Sequence, residues 1–168
     1  MSVKSLGWAE LTPERVEQLR DTYSATHRGP HGDAPGTGAE AADTGAMPAV
    51  TADDERVSDE LLAAHFALAQ RRAPGEVAVA VYDGDQEFAP ALQVVTDHAG
   101  MQMDSVTVLL HRLGAAYLSI MSPVFLVQRN ESGEIVSVTP NSADGAGTAE
   151  AWIHIELSPS VNLSLIHI

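Results

Sequence analysis

The sequence predicts an α+β domain: short β-strands around one central amphipathic helix, behind a helical N-terminal third. Three observations carry this expectation. Apolar residues alternate with a period of two over 77–81 and 151–157, the signature of strands. Between residues 101 and 113 they recur instead as Met103, Val106, Leu110 and Leu113, which is one stripe of a helix. Turn signals such as Pro74-Gly75 and Asn130-Glu131-Ser132-Gly133 cut the chain into short segments.

A length of 168 residues suits one domain. The formal net charge of −14 argues against nucleic acid or an anionic membrane as partner, since both attract basic surfaces. Cysteine is absent, so neither a disulfide framework nor a Cys-ligated metal site is available. Apolar runs are all too short to span a bilayer, and Met1-Ser2-Val3-Lys4-Ser5 lacks the apolar centre of a signal peptide. A soluble cytoplasmic protein is the expectation.

The elements follow in order. Thr12-Pro13-Glu14 starts a helix, with a capping hydroxyl, a first-turn proline and an acid near the positive end of the dipole. Val16, Leu19 and Tyr23 give it one narrow apolar face, either for docking on another part of a larger protein or as a marginal surface helix. Residues 1–28 are thus read as a helical arm. Residues 29–54, rich in Gly, Ala, Pro, Asp and Thr, bury too little surface to offset chain entropy and read as a disordered acidic linker. His27 and His31 at its start lack partners at ligand spacing, and no metal site is expected.

Residues 55–75 hold a second helix, opened by Ser58-Asp59-Glu60 and closed by Pro74-Gly75, that packs on the module through Leu62 and Phe66. His65 reads as a boundary or surface residue. Arg71 and Arg72 read as offsetting the helix dipole, or as a grip for an anion. Strands are expected over 76–82, 92–96, 117–122, 124–129, 134–138 and 151–157, with a loop over 139–148. In the last strand, Ala151, Ile153, Ile155 and Leu157 form a dry face and Trp152, His154 and Glu156 a polar one. Trp152 and His154 are therefore expected at an interface with another domain or subunit. Asp104 and Ser105 read as a polar helix face, and His111 as exposed near the helix C-terminus.

The candidate ligand site is the turn before the central helix, with Asp97, His98, Gly100 and Met101. Free N–H groups at a helix N-terminus attract a carboxylate, so an effector's ammonium would meet Asp97 while its carboxylate meets the helix. The alternative is that Asp97 merely caps the helix and His98 is solvated. No catalytic residue is identified. There is no Gly-x-Gly-x-x-Gly between a strand and a helix, and Lys4 is the sole lysine.

Asp97-His98-Ala99-Gly100-Met101, an apolar helix and Leu113-Gly114 resemble the ACT-domain pattern, with Ala99 in place of the usual proline. The wider order is similar to the N-terminal region of the large bacterial NAD-specific glutamate dehydrogenases. It runs Arg71-Arg72-Ala73-Pro74-Gly75, Val95-Thr96-Asp97, Met103-Asp104-Ser105-Val106, Pro123-Val124, Val127-Gln128-Arg129, the Gly133 hairpin and Glu150-Ala151-Trp152-Ile153-His154-Ile155-Glu156. A departure is His98-Ala99-Gly100-Met101, where many members carry an Asp-Met-Pro-Phe type of sequence. The resemblance implies a regulatory or assembly region of an enzyme that converts L-glutamate and NAD to 2-oxoglutarate, ammonium and NADH. It also implies that NAD binds elsewhere in the full-length parent and that no cofactor is bound by this chain. The partners implied are the parent's remaining domains, further copies in a homo-oligomer, and an amino-acid effector.

An ACT domain runs β-α-β-β-α-β, with both helices over one sheet face. Here residues 76–162 supply an incomplete, ferredoxin-like version that lacks the second helix. Leu163-Ser164-Leu165-Ile166-His167-Ile168 fits neither an amphipathic helix nor the family, and back-translates to the end of a common sequencing-library adapter. Residues 163–168 are therefore expected to be a foreign tail on a truncated gene. A missing helix would leave several hundred Å² of apolar sheet bare, on the order of 10 kcal/mol at ~25 cal/mol per Å². Such a fragment is expected to aggregate or to be partly molten.

Overall fold

The computed structural model describes residues 4–29, 57–84, 89–142 and 145–158. The linker expected over 29–54, apart from Gly29, and the tail expected over 163–168 lie outside the described residues. A 3-10 turn, Trp8–Glu10, leads into α1 (Pro13–Ala25), which begins where Thr12 Oγ1 accepts the Arg15 N–H. Helix α2 (Asp59–Ala69) is capped in the same way by Ser58 on the Leu61 N–H. The strands β1 (Ala78–Tyr82) and β2 (Ala91–Asp97) precede α3 (Gln102–Arg112). Then come β3 (Tyr117–Met121), β4 (Val124–Arg129), β5 (Ile135–Pro140) and β6 (Thr148–Leu157).

All the strands join one antiparallel sheet in the order β1-β2-β6-β4-β5, with β3 also paired to β6. Strand β6 is the hub. One of its edges takes β2, and the other takes β3 along its C-terminal half and β4 along its N-terminal half. Pro123 divides β3 from β4 because it has no N–H to give the ladder, yet its carbonyl still accepts from Trp152 N at 3.0 Å.

The pleat sends alternate side chains to two different cores. Trp152, Phe125, Val95 and Val127 pack with Leu62 and Phe66 of α2 and with Leu19 and Tyr23 of α1. Ala151, Ile153, Ile155, Leu157 and Ile120 pack with Leu110 of α3. The described residues form a three-layer sandwich in which α1 and α2 cover one sheet face and, among those residues, α3 alone covers the other.

Four expectations are corrected. The N-terminal arm is neither a free docking helix nor a marginal one, because Leu19 and Tyr23 belong to the core. Arg20, buried in the same helix, donates to Val57 O at 2.6 Å and ion-pairs with Asp59, fixing α1 to the start of α2. Trp152 and His154, expected at an interface, are 1% and 4% exposed beneath this chain's own helices, so β6 is buried on both faces from Glu150 to Ile155. A central strand sandwiched between layers has no solvent face, whatever polar residues it carries. His65 is fully buried, and Arg72 turns into the sheet instead of serving the α2 dipole.

Candidate functional site

The turn between β2 and α3 is built by its neighbours. His98 N donates to Ala149 O at 2.9 Å, and Gln102 Nε2 donates to Asp97 O at 2.6 Å. Asp97 is not the helix cap. That position falls to Met101, which has φ 63°, a 76% exposed side chain and no side-chain capping bond. A non-glycine residue in this left-handed region is uncommon and costs about 1–2 kcal/mol. Gly100 faces open space and does not adopt a positive φ, so the conformational demand of the turn falls one residue later than its glycine. The His98 side chain points to solvent.

Asp97 is already engaged. Its Oδ1 accepts from Arg72 Nη2 at 2.5 Å and its Oδ2 from Gly75 N at 3.2 Å. The Arg72 hydrogen bond holds the Asp97 carboxyl below the ordinary carboxylate range. The same Arg72 nitrogen donates to Glu150 Oε1 at 2.7 Å, and Arg72 Nη1 donates to Glu76 O at 2.7 Å. Arg129 grips Glu150 with two nitrogens, Nε to Oε1 at 2.8 Å and Nη2 to Oε2 at 3.0 Å, and Trp152 Nε1 donates to Oε2 at 3.2 Å. Glu150 is 1% exposed. Burial alone would raise its pKa, but the hydrogen bonds and charges of Arg129 and Arg72 outweigh burial and hold it below the ordinary value. This buried Arg-Glu-Arg cluster joins the α2 exit, the α3 turn, β4 and β6.

A second polar cluster lies under α2. Tyr23 Oη donates to His65 Nδ1 at 2.8 Å, while His65 Nε2 donates to Val94 O at 3.2 Å; the carbonyl, which can only accept, sets this tautomer. Gln93 Nε2 donates to His154 Nδ1 at 3.2 Å. Burial pushes His65 down to about 3 and His154 down to about 4, so both are neutral at pH 7. Among the described residues these groups lie buried between helix and sheet. Among the described residues no His, Asp or Glu cluster suits a metal ion.

The structure therefore brings Asp97, His98, Gly100 and Met101 together on one turn, and separates Trp152 and His154 from any outer surface. Arg72, Arg129 and Glu150 escaped sequence reasoning as a set, because they lie far apart in the chain. The usable signal was Glu150, a carboxylate directly before the apolar run Ala151-Trp152-Ile153 of β6.

The sequence model of the family described as "Glutamate dehydrogenase, ACT1 domain" matches residues 49–164. The chain belongs to this family. Consistent with that, it is 45% identical over 148 residues to the NAD-specific glutamate dehydrogenase of Mycobacterium tuberculosis, a match that covers 86% of this chain and 9% of that enzyme. The ACT1 chain thus spans about a tenth of the length of this curated relative. Its mixed helices and antiparallel sheet are compatible with an ACT-like domain, and among the described residues no helix is long and apolar enough to cross a membrane.

Proposed function

We infer that this chain is the N-terminal, non-catalytic assembly region of a cytoplasmic NAD-dependent glutamate dehydrogenase. In the whole enzyme L-glutamate and NAD would give 2-oxoglutarate, ammonium and NADH, with the cofactor bound elsewhere. Kinship supports the parent enzyme. One observation favours assembly over effector capture at the α3 turn: both Asp97 oxygens are already taken by Arg72 and Gly75. An effector's ammonium would have to displace a buried guanidinium.

The fold reading is an ACT module one helix short. Val79 and Val81 pair with Val94 and Leu92, which in turn pair with Ile153 and Ile155, so all share the α3 face. Yet Val79 is 53% exposed, and on α3 Leu109 is 55% exposed. At ~100° per residue Leu109 sits about 160° round the helix from Thr107, which faces β3, and so borders the uncovered β1–β2 strip. A helix continuing the polypeptide beyond β6 would fill that trough.

The test is Asp97→Ala in the full-length enzyme, with oligomeric state and amino-acid response measured together. Altered assembly with an unchanged response supports this reading. Loss of the response with intact assembly supports the effector reading instead.

A further inference from the structure

The outer face of α3 carries apolar groups and two opposite charges that the described residues leave unused. The inward stripe is Met103, Val106, Leu110 and Leu113, which packs with the core beneath the helix. At ~100° per residue the direction opposite that stripe is Val108, with Asp104 one turn before it and Arg112 one turn after. Val108 is 51% exposed and Leu109 beside it 55%, where a helix facing only water would carry polar residues. Asp104 and Arg112 are exposed, and among the described residues neither side chain makes a hydrogen bond or ion pair. Apart from Arg28, every other described basic side chain has a partner.

Along one line of the helix the order is therefore acid, apolar, base. That order is complementary to its own reverse. A rise of ~1.5 Å per residue places Asp104 and Arg112 about 6 Å to either side of Val108. A second α3 laid antiparallel about a two-fold axis at Val108 thus sets the partner's Arg112 on Asp104 and the partner's Asp104 on Arg112. A parallel copy would instead oppose like charges. With a net charge of −14, most of the surface repels a second copy, whereas this stripe is locally neutral.

We propose that α3 docks on the α3 of a second copy of this chain, antiparallel about Val108, with two Asp104–Arg112 ion pairs flanking an apolar centre. This contact rests on the assembly reading and gives it a partner and a surface. The helix has 11 residues and is about 16 Å long, so one such pair buries less than the ~1,200 Å² of a freely stable dimer. The contact forms where the parent enzyme holds copies together, which raises their effective concentration.

A disulfide trap on the 168-residue chain tests it. The chain has no cysteine, so Val108→Cys places a single thiol on the axis. Helices ~8–10 Å apart, with Cα atoms ~2.3 Å from each axis, bring the two Cα atoms to about 4–6 Å, a span that a disulfide bridges. With oxidised glutathione, dimers are expected to form faster than from Ser24→Cys, an exposed control on α1. Adding Asp104→Arg or Arg112→Glu opposes like charges and is expected to slow the reaction about tenfold. Mixing those two variants restores the rate, because every charge then faces its opposite, and such rescue excludes misfolding as the cause. A rate no faster than the Ser24 control, charge variants that react like Val108→Cys alone, or a mixture as slow as its components overturns the α3 contact. Each of these outcomes leaves the assembly reading standing, since that reading is tested by the oligomeric state of the full-length enzyme.

Discussion

Glu150 shows how one side chain can organise a domain. Its carboxylate pairs with two guanidinium groups that lie 57 residues apart in the chain, Arg72 at the α2 exit and Arg129 on β4. Removing the charge leaves buried Arg72 with only the half-exposed Asp97 as counter-ion and breaks the Arg129 pair, and breaks of buried pairs typically cost about 3–5 kcal/mol. Glu150→Gln is therefore expected to lower the urea midpoint sharply. Asp97→Asn, at a position 46% exposed and screened by solvent, should cost no more than ~1 kcal/mol. The buried histidines set the pH response. Their folded pKa values lie below the unfolded value near 6.5, so the unfolded state binds protons first. Their stabilisation is complete above about pH 7 and is lost as pH falls through 6.5 towards 4, at about 1.4 kcal/mol per pH unit for each histidine. Denaturant titrations across that window check this, and replacing His154 with Leu should flatten the slope by about half.

Among the elements, α1 makes the boldest claim. If it is a core layer, Leu19→Ala costs about 2–5 kcal/mol, the range for a buried leucine. If it were a free arm, the substitution would be silent; thermal melts of the two chains decide. The hairpin before β5 gives a backbone counterpart. Gly133 has φ 79° and a Cβ there would stand 2.6 Å from Arg72 O, so Gly133→Ala is expected to destabilise by ~1–3 kcal/mol. These elements were legible in the sequence to differing degrees. Caps at Thr12 and Ser58, the α3 stripe and the alternation along β6 carry local information, and the helices and strands fall where those signals lie. Which layer each element joins is not local. His65 looked like a boundary or surface residue and His154 like an interface residue because their polar partners come from other elements, and Tyr23 looked marginal because its cover is a strand far away in sequence. For the candidate site, the Asp97–Met101 turn was readable, whereas its occupation by Arg72 depended on tertiary packing alone.

Taken whole, the molecule is asymmetric. Among the described residues, one face of the sheet is sealed by two helices, and the other has one helix and a bare strip at Val77 and Val79 bordered by Leu109 of α3. Among the described residues the outer edge of β1 is unpaired as well, a combination that invites association. The purified chain is expected to bind a hydrophobic dye and to melt in a concentration-dependent way. Val79→Lys should reduce both effects with a change in stability of about 0.5 kcal/mol or less, since the side chain is already exposed. Sealing one face from the N-terminus has a further effect, in time. Tyr23 and Phe66 leave the ribosome well before Phe125 and Trp152, the rings they pack against, with roughly 100 residues separating Tyr23 from Phe125. At ~5–20 residues per second of synthesis, these aromatic groups wait several seconds without their seat. An aromatic cluster made early in synthesis is thus seated late, and a nascent chain of this kind depends on whatever shields it meanwhile.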